Sequence, residues 1–191
     1  MAIYTNMKAQ EAKKHGMFRS SRLKSTDVGR LWDLIVRDED DKEIPVDNGV
    51  AVKVGKNTGI GLQTRYATIA GVADQIAVTG SPANIKDAFT KFQSAEYNFY
   101  HEAGVVAKAY EVRENEGEVF GVAAYQFTTV LTEGAVPAFG NTVVVDGNGG
   151  WVELAADADV STYGFAGRVY GYEIGDFETI VLIEVVKNEQ L

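Results

Sequence analysis

Cysteine is absent from all 191 residues. That excludes a disulfide framework, a thiolate metal site and a cysteine nucleophile. Histidine occurs twice, at His15 and His101, which leaves little for zinc coordination or a histidine-based triad. No run of about 18 apolar residues occurs, so no membrane span is expected. The opening stretch MAIYTNMKAQEAKKHG lacks an apolar core of the signal-peptide kind, and the chain is expected to be made in the cytoplasm as a soluble protein. Proline is scarce, three residues against twenty glycines, a ratio that points to many tight turns.

What is present suffices for a buried core. Hydrophobic residues make up 46% and aromatics 10%, which excludes general disorder. The length suits one large domain, or one domain with an appendage. The net charge of −9 is unevenly spread. Met1 to Arg37 carries eight Lys/Arg against three acids, a net +5, while the remainder carries ten against twenty-four, a net −14. A basic arm on an acidic body suits docking to an acidic surface or to nucleic acid, or simply solvation of a tail.

Along the chain, residues 1–30 have weak periodicity and many small polar residues, as in FRSSRLKSTD, and read as an extended or partly helical arm. Strand patterns follow: LWDLIVR (31–37), VAVKV (50–54) after a charged loop at 37–49, then TRYATIAGV and QIAVTG within 64–80. One helix is expected near 82–93. Ser81 serves as its N-cap, Pro82 stands in the first turn, and Ile85, Ala88, Phe89 and Phe92 form one apolar stripe to lie on a sheet. VVAKAYEVR (105–113) and GEVFGVAAYQFTTV (117–130) read as strands joined by an ENEG hairpin turn. The last third holds two more hairpin patterns, NTVVVD/GNGG/WVELA and YGFAGRVYGYEI/GD/FETIVLIEVVK.

The expected fold is mainly β with one prominent helix (α+β). Antiparallel strands would form a β-sandwich or barrel-like body with an extended N-terminal arm. The expected organisation is a basic arm at 1–30, a β-rich body with the helix at 31–131, and a strand-rich C-terminal subdomain at 132–191.

The candidate chemical motifs do not hold up. In VVVDGNGGWVEL, an EF-hand reading puts Asp146 and Asn148 at the first two ligand positions, but Gly150, Trp151 and Asp157 at the fifth, sixth and twelfth. The ligand count fails and a turn is expected. DEDDKE (38–43) reads as a solvated acidic loop, because no glycine hinge accompanies it. GKNTGIG (55–61) has its lysine directly after the first glycine and no GK[ST], so it is not a phosphate loop. His101-Glu102 has Val105 where HExxH needs its second histidine. The aromatics Tyr163, Phe165, Tyr170 and Tyr172 sit in an acidic stretch, which suits core or subunit contacts better than nucleic-acid stacking. No catalytic, metal or cofactor-binding residue is assigned.

The order of motifs in EGAVPAFGNTVVVDGNGGWVELA…YGFAGRVYGYEI…TIVLIEVV resembles head structural proteins of tailed bacteriophages, specifically capsid cement or decoration proteins. The pattern is a valine-rich strand, a GNG turn, a tryptophan strand, a GxVxGxE strand and a final valine-rich strand. AEYNFYHEAGVVAKAYEVRENEGEVFGV (95–122) is similar to a further part of it, so the likeness spans 95–187.

The resemblance implies a non-enzymatic virion protein, without cofactors, that binds and stabilises the capsid shell. Its partners would be the major capsid protein and copies of itself in a homo-oligomer, with nucleic acid left open and no membrane. Lys13, Lys14, Arg19, Arg22, Lys24 and Arg30 are expected to anchor the arm, with Met17, Phe18 and Leu23 as apolar plugs. The alternatives are another phage component (head fibre base, tail, baseplate or capsid subunit) and, more distantly, a carbohydrate-active enzyme working through paired carboxylates.

Overall fold

A computed structural model describes residues 16–20, 23, 31–59, 64–80, 100–114, 118–128, 135–174 and 179–191. The strands among them are β1 (Phe18–Arg19), β2 (Leu31–Arg37), β3 (Val46–Asp47), β4 (Ala51–Asn57), β5 (Thr64–Ile69), β6 (Ala77–Thr79), β7 (Tyr100–His101), β8 (Ala107–Glu111), β9 (Val119–Ala123), β10 (Thr142–Val145), β11 (Trp151–Leu154), β12 (Phe165–Ile174) and β13 (Thr179–Asn188). They build two main bodies. A closed barrel runs β2-β5-β4-β6-β8, and a six-stranded sheet runs β1-β9-β13-β12-β10-β11. A two-stranded ribbon pairs β3 with β7.

The barrel is antiparallel except where β2 lies parallel to β5. Its interior is filled by Leu34, Val36, Val52, Ala67, Ala77, Ala107 and Ala109. So narrow a barrel leaves little room inside, and four alanines on three of the strands meet that limit.

The barrel wall and the inner face of the sheet share one core. Ala51, Ile76 and Val78 from the barrel side pack with Val143, Val145, Trp151, Phe165, Val169, Val181 and Ile183 from the sheet. Phe120 lies at its centre, with ring centroids 5.4 Å from Trp151 and 6.1 Å from both Phe18 and Phe165. Polar joints cross the same boundary. Trp151 donates its indole N–H to the Gly49 carbonyl at 2.9 Å. Asn188, at the end of β13, accepts from the Ile76 N–H at 2.8 Å and donates to the Ile76 and Val112 carbonyls. Buried polar groups are costly unless satisfied, and Asn188 satisfies barrel backbone with a sheet residue.

Two expectations need correction. The chain is mainly β, with no α-helix among the described residues and a single 3-10 turn at Ala124–Gln126. This overturns the α+β class with its one prominent helix. The core face of the sheet packs against the barrel wall. The segment 82–93 itself lies outside the described residues. The expected hairpin of 105–113 with 117–130 is also replaced. β8 pairs with β2 and β6 in the barrel, whereas β9 pairs with β1 and β13 in the sheet.

The strands of the other two hairpins pair, the second with four residues, not two, between its last paired positions. Val145 lies opposite Trp151 in one, and Ile174 opposite Thr179 in the other, whose turn at 175–178 lies outside the described residues. The DGNGG run is a turn. Asp146 Oδ1 accepts from the N–H groups of Asn148 and Gly150 at 2.7 and 2.9 Å, and Gly147 and Gly149 take positive φ. Its tip docks on the barrel, where the Ala51 N–H donates to the Gly149 carbonyl at 2.9 Å.

Candidate interaction surface

The residues expected to dock a partner divide sharply in position. Phe18 and Leu23 are each 6% exposed and belong to the shared core. Met17 is equally buried, against Val119, Ala123, Ile180 and Leu182. The Phe18 ring lies 5.1 Å from that of Tyr110, and a Cβ on Gly80 would run into it. Gln126 braces this segment, accepting from the Met17 N–H at 2.9 Å and donating to the Asn48 carbonyl at 2.9 Å. These apolar side chains are therefore committed to the molecule's own core. Arg19 is half-buried in β1, opposite Gly121, and donates to the Phe18 carbonyl at 3.2 Å. Lys13, Lys14, Arg22, Lys24 and Arg30 lie outside the described residues.

Exposed apolar side chains gather instead around β12 and the loop before β10. Ile174 is 92% exposed, Phe139 72%, Tyr170 46% and Tyr172 38%. Along β12 the exposed residues are Arg168, Tyr170, Tyr172 and Ile174, alternating with less exposed ones. A bulge between Val169 and Gly171 re-aims the second half of the strand, so that Tyr172 faces Val181 and Ile174 faces Thr179.

The loop that carries Phe139 is braced at several points. Its Gly140 N–H donates to the Val169 carbonyl and the Val169 N–H donates to the Asn141 carbonyl, both at 2.9 Å. Glu153 Oε1 accepts from the Ala138 N–H and the Asn141 side chain, both at 2.6 Å. The Tyr172 hydroxyl donates to the Pro137 carbonyl at 2.5 Å. Partial burial, with the nearby Glu153 carboxylate adding to it, raises the Tyr172 phenol above its ordinary 10 and keeps it a neutral donor. The result is an open groove of about 450 Å³ lined by Phe139, Gly140, Ala156, Arg168, Val169, Tyr170 and Glu184. Aromatic and arginine side chains on a pre-braced surface are what interface centres are enriched in.

Other chemistry-bearing positions have local roles. Asp38 Oδ1 accepts from the N–H groups of Asp40 and Lys42 at 3.0 and 2.9 Å, making the acidic run a turn. Asn57 accepts from the Gly59 N–H at 2.7 Å, a turn where a phosphate loop was weighed. His101 sits 3.3 Å from the Asn48 side-chain oxygen, and burial lowers its pKa, opposed by the Asp47 charge. Among the described residues no cluster of three or more His, Cys, Asp or Glu could hold a metal, and no helix is long and apolar enough to cross a membrane.

Sequence reasoning missed Phe139 and Ile174. Phe139 did carry a signal, as a lone large aromatic inside the turn-forming run Pro137-Ala138-Phe139-Gly140-Asn141. Ile174 resembled any inward strand residue, but it stands exposed at the very end of β12, opposite Thr179. No known protein family matches the sequence, and no curated protein or solved structure matches the chain.

Proposed function

We propose that the protein is a non-enzymatic virion component that binds the assembled capsid shell and stabilises it, acting in many copies. The observation that carries this reading is the groove of Phe139 and Tyr170 beside Arg168, on a braced loop. Its order is set by hydrogen bonds within the fold, so little entropy is lost when a partner covers it. The motif order over 95–187, which resembles phage cement proteins, supports the same reading. A shell repeats one contact many times, so a modest site becomes effective through multivalency. The basic residues Lys13, Lys14, Arg22, Lys24 and Arg30 would add a salt-dependent attraction to an acidic shell face.

Sedimentation with DNA-free shells of the tailed phage that encodes the chain tests this, at low and moderate salt, beside a free-DNA control. Saturable, stoichiometric co-sedimentation is expected, reduced at least about tenfold by Phe139→Ala with Tyr170→Ala, the loss typical of removing interface anchors. Absence of shell binding would overturn the reading in favour of a tail, baseplate or fibre role. Binding to DNA alone would make the basic arm a nucleic-acid contact.

A further inference from the structure

The open end of the barrel holds a second site, independent of the shell-binding reading. All five barrel strands contribute to the lining of a cavity of about 260 Å³: Trp32 from β2, Lys53 and Val54 from β4, Arg65 from β5, Ala77 from β6 and Glu111 from β8. The strand period explains the convergence. Arg65 lies two residues before Ala67 and Glu111 two after Ala109, both of which fill the barrel interior, so both charged side chains share the inward face. Across the ladder Glu111 lies opposite Ala77, and Trp32 opposite Ala109. Barrel mouths are preferred places for small ligands.

The charges are held in a specific way. The Arg65 guanidinium lies over the Trp32 ring at 4.5 Å and donates to the Gly55 carbonyl at 3.3 Å, while its Nε is buried without an acceptor. Arg37, on the parallel neighbour strand, also has an orphaned Nε. What distinguishes Arg65 is the cavity it faces. Glu111 is already engaged, accepting from Arg113 Nε at 2.8 Å and from the Trp32 indole N–H at 3.4 Å. Lys53, also on the cavity, is 2.6 Å from Asp74 and carries further ammonium hydrogens.

Two cations and one occupied carboxylate leave the lining with a net positive charge beside apolar walls of Val54, Ile76, Ala77 and Trp32. We propose that this mouth binds a monovalent organic carboxylate, its oxygens on Arg65 and Lys53 and its stem against Trp32 and Val54. A dianion such as phosphate suits it less, because Glu111 stands in the same lining and no apolar stem would meet the walls. The carboxylate could belong to a free small acid or to an acidic side chain of a polypeptide.

The chain has two tryptophans, which makes the test internal. Trp32 lines the cavity, whereas Trp151 is fully buried and hydrogen-bonded in the shared core. Nitrogen–proton spectra of the full chain are recorded while titrating butyrate, its neutral counterpart butyramide, and the blocked peptide acetyl-Ala-Glu-Ala-amide at constant pH and ionic strength. The Trp32 indole signal should move saturably with a carboxylate and not with butyramide, while the Trp151 signal stays fixed. Arg65→Gln should weaken the response about tenfold or more, the loss expected for a charge-assisted hydrogen bond. An unmoved Trp151 signal certifies that the variant is folded. A response to butyrate alone assigns a free acid, and a response to the peptide assigns an acidic side chain. Equal movement with butyrate and butyramide, or no saturable movement with any probe, overturns the proposal, and neither outcome depends on the variant.

Discussion

Two phenylalanines, one buried and one exposed, separate folding from recognition at the scale of single residues. Phe18, 6% exposed, packs against Tyr110 and Phe120, and its removal leaves a cavity in the shared core. Phe18→Ala should cost about 3–5 kcal/mol of stability, measured by urea unfolding. Phe139, 72% exposed, touches little that folding needs. Phe139→Ala should change stability by less than about 0.5 kcal/mol while lowering shell binding. If Phe18→Ala proved neutral, the N-terminal strand would not be part of the core. The residue alphabet of FRSSRLKSTD reads as polar and reaching, yet the one aromatic in it finds a slot kept open by Gly80. Nothing within ten residues of Phe18 announces that slot, because its walls come from residues 80, 110 and 120.

At the scale of elements, Gly140 and Gly149, two of the glycines with positive φ, make a matched pair. Gly140 has φ +82 and open space where a Cβ would stand, so Gly140→Ala should cost only the left-handed backbone strain, about 1–2 kcal/mol. Gly149 has φ +78, but its Cβ would meet Val50 at 2.7 Å and the Ala51 carbonyl at 3.0 Å. Gly149→Ala should cost at least about 1 kcal/mol more than Gly140→Ala, because the turn tip must lift off the barrel. Equal costs in urea titrations would mean that the turn is not a joint.

Strand positions were largely legible, since alternation in LWDLIVR, the valine-rich NTVVVD and the long TIVLIEVVK reports a half-buried or buried strand locally. Partnership was not. Period-2 patterning says which side of a strand is apolar and is silent about its neighbours, so β8 and β9 looked like a hairpin although they belong to different bodies. The same limit hid the barrel mouth. Trp32, Arg65 and Glu111 are 33 and 46 residues apart in the chain and meet only because the barrel closes.

For the whole molecule, global stability is coupled to the protonation of His101. Burial lowers its folded-state pKa below the ordinary 6.5, against the opposing pull of Asp47. A depressed histidine stabilises the fold fully above pH 6.5. That contribution shrinks as pH falls from 6.5 toward the lower folded value, because the unfolded chain takes up the proton first. Unfolding free energy should therefore drop between pH 7.5 and 5.5, and His101→Gln should flatten that part of the profile relative to the unsubstituted chain. The comparison isolates the histidine from the easing of charge repulsion that the net −9 undergoes as the solution is acidified. Profiles of the same slope would remove His101 from the account.

The shared core also has a timetable. β1 begins the sheet near the N-terminus and β9 continues it, but their common neighbourhood closes only when β13, the last strand of the chain, pairs with β9 and brings Val181, Ile183 and Asn188 to the barrel wall. A ribosome has to deliver everything from β1 through β13 before the aromatic cluster around Phe120 can shut. Contacts so distant along the chain slow folding. Until the final valine-rich strand emerges, the nascent protein must keep an unfinished sheet out of reach of its neighbours.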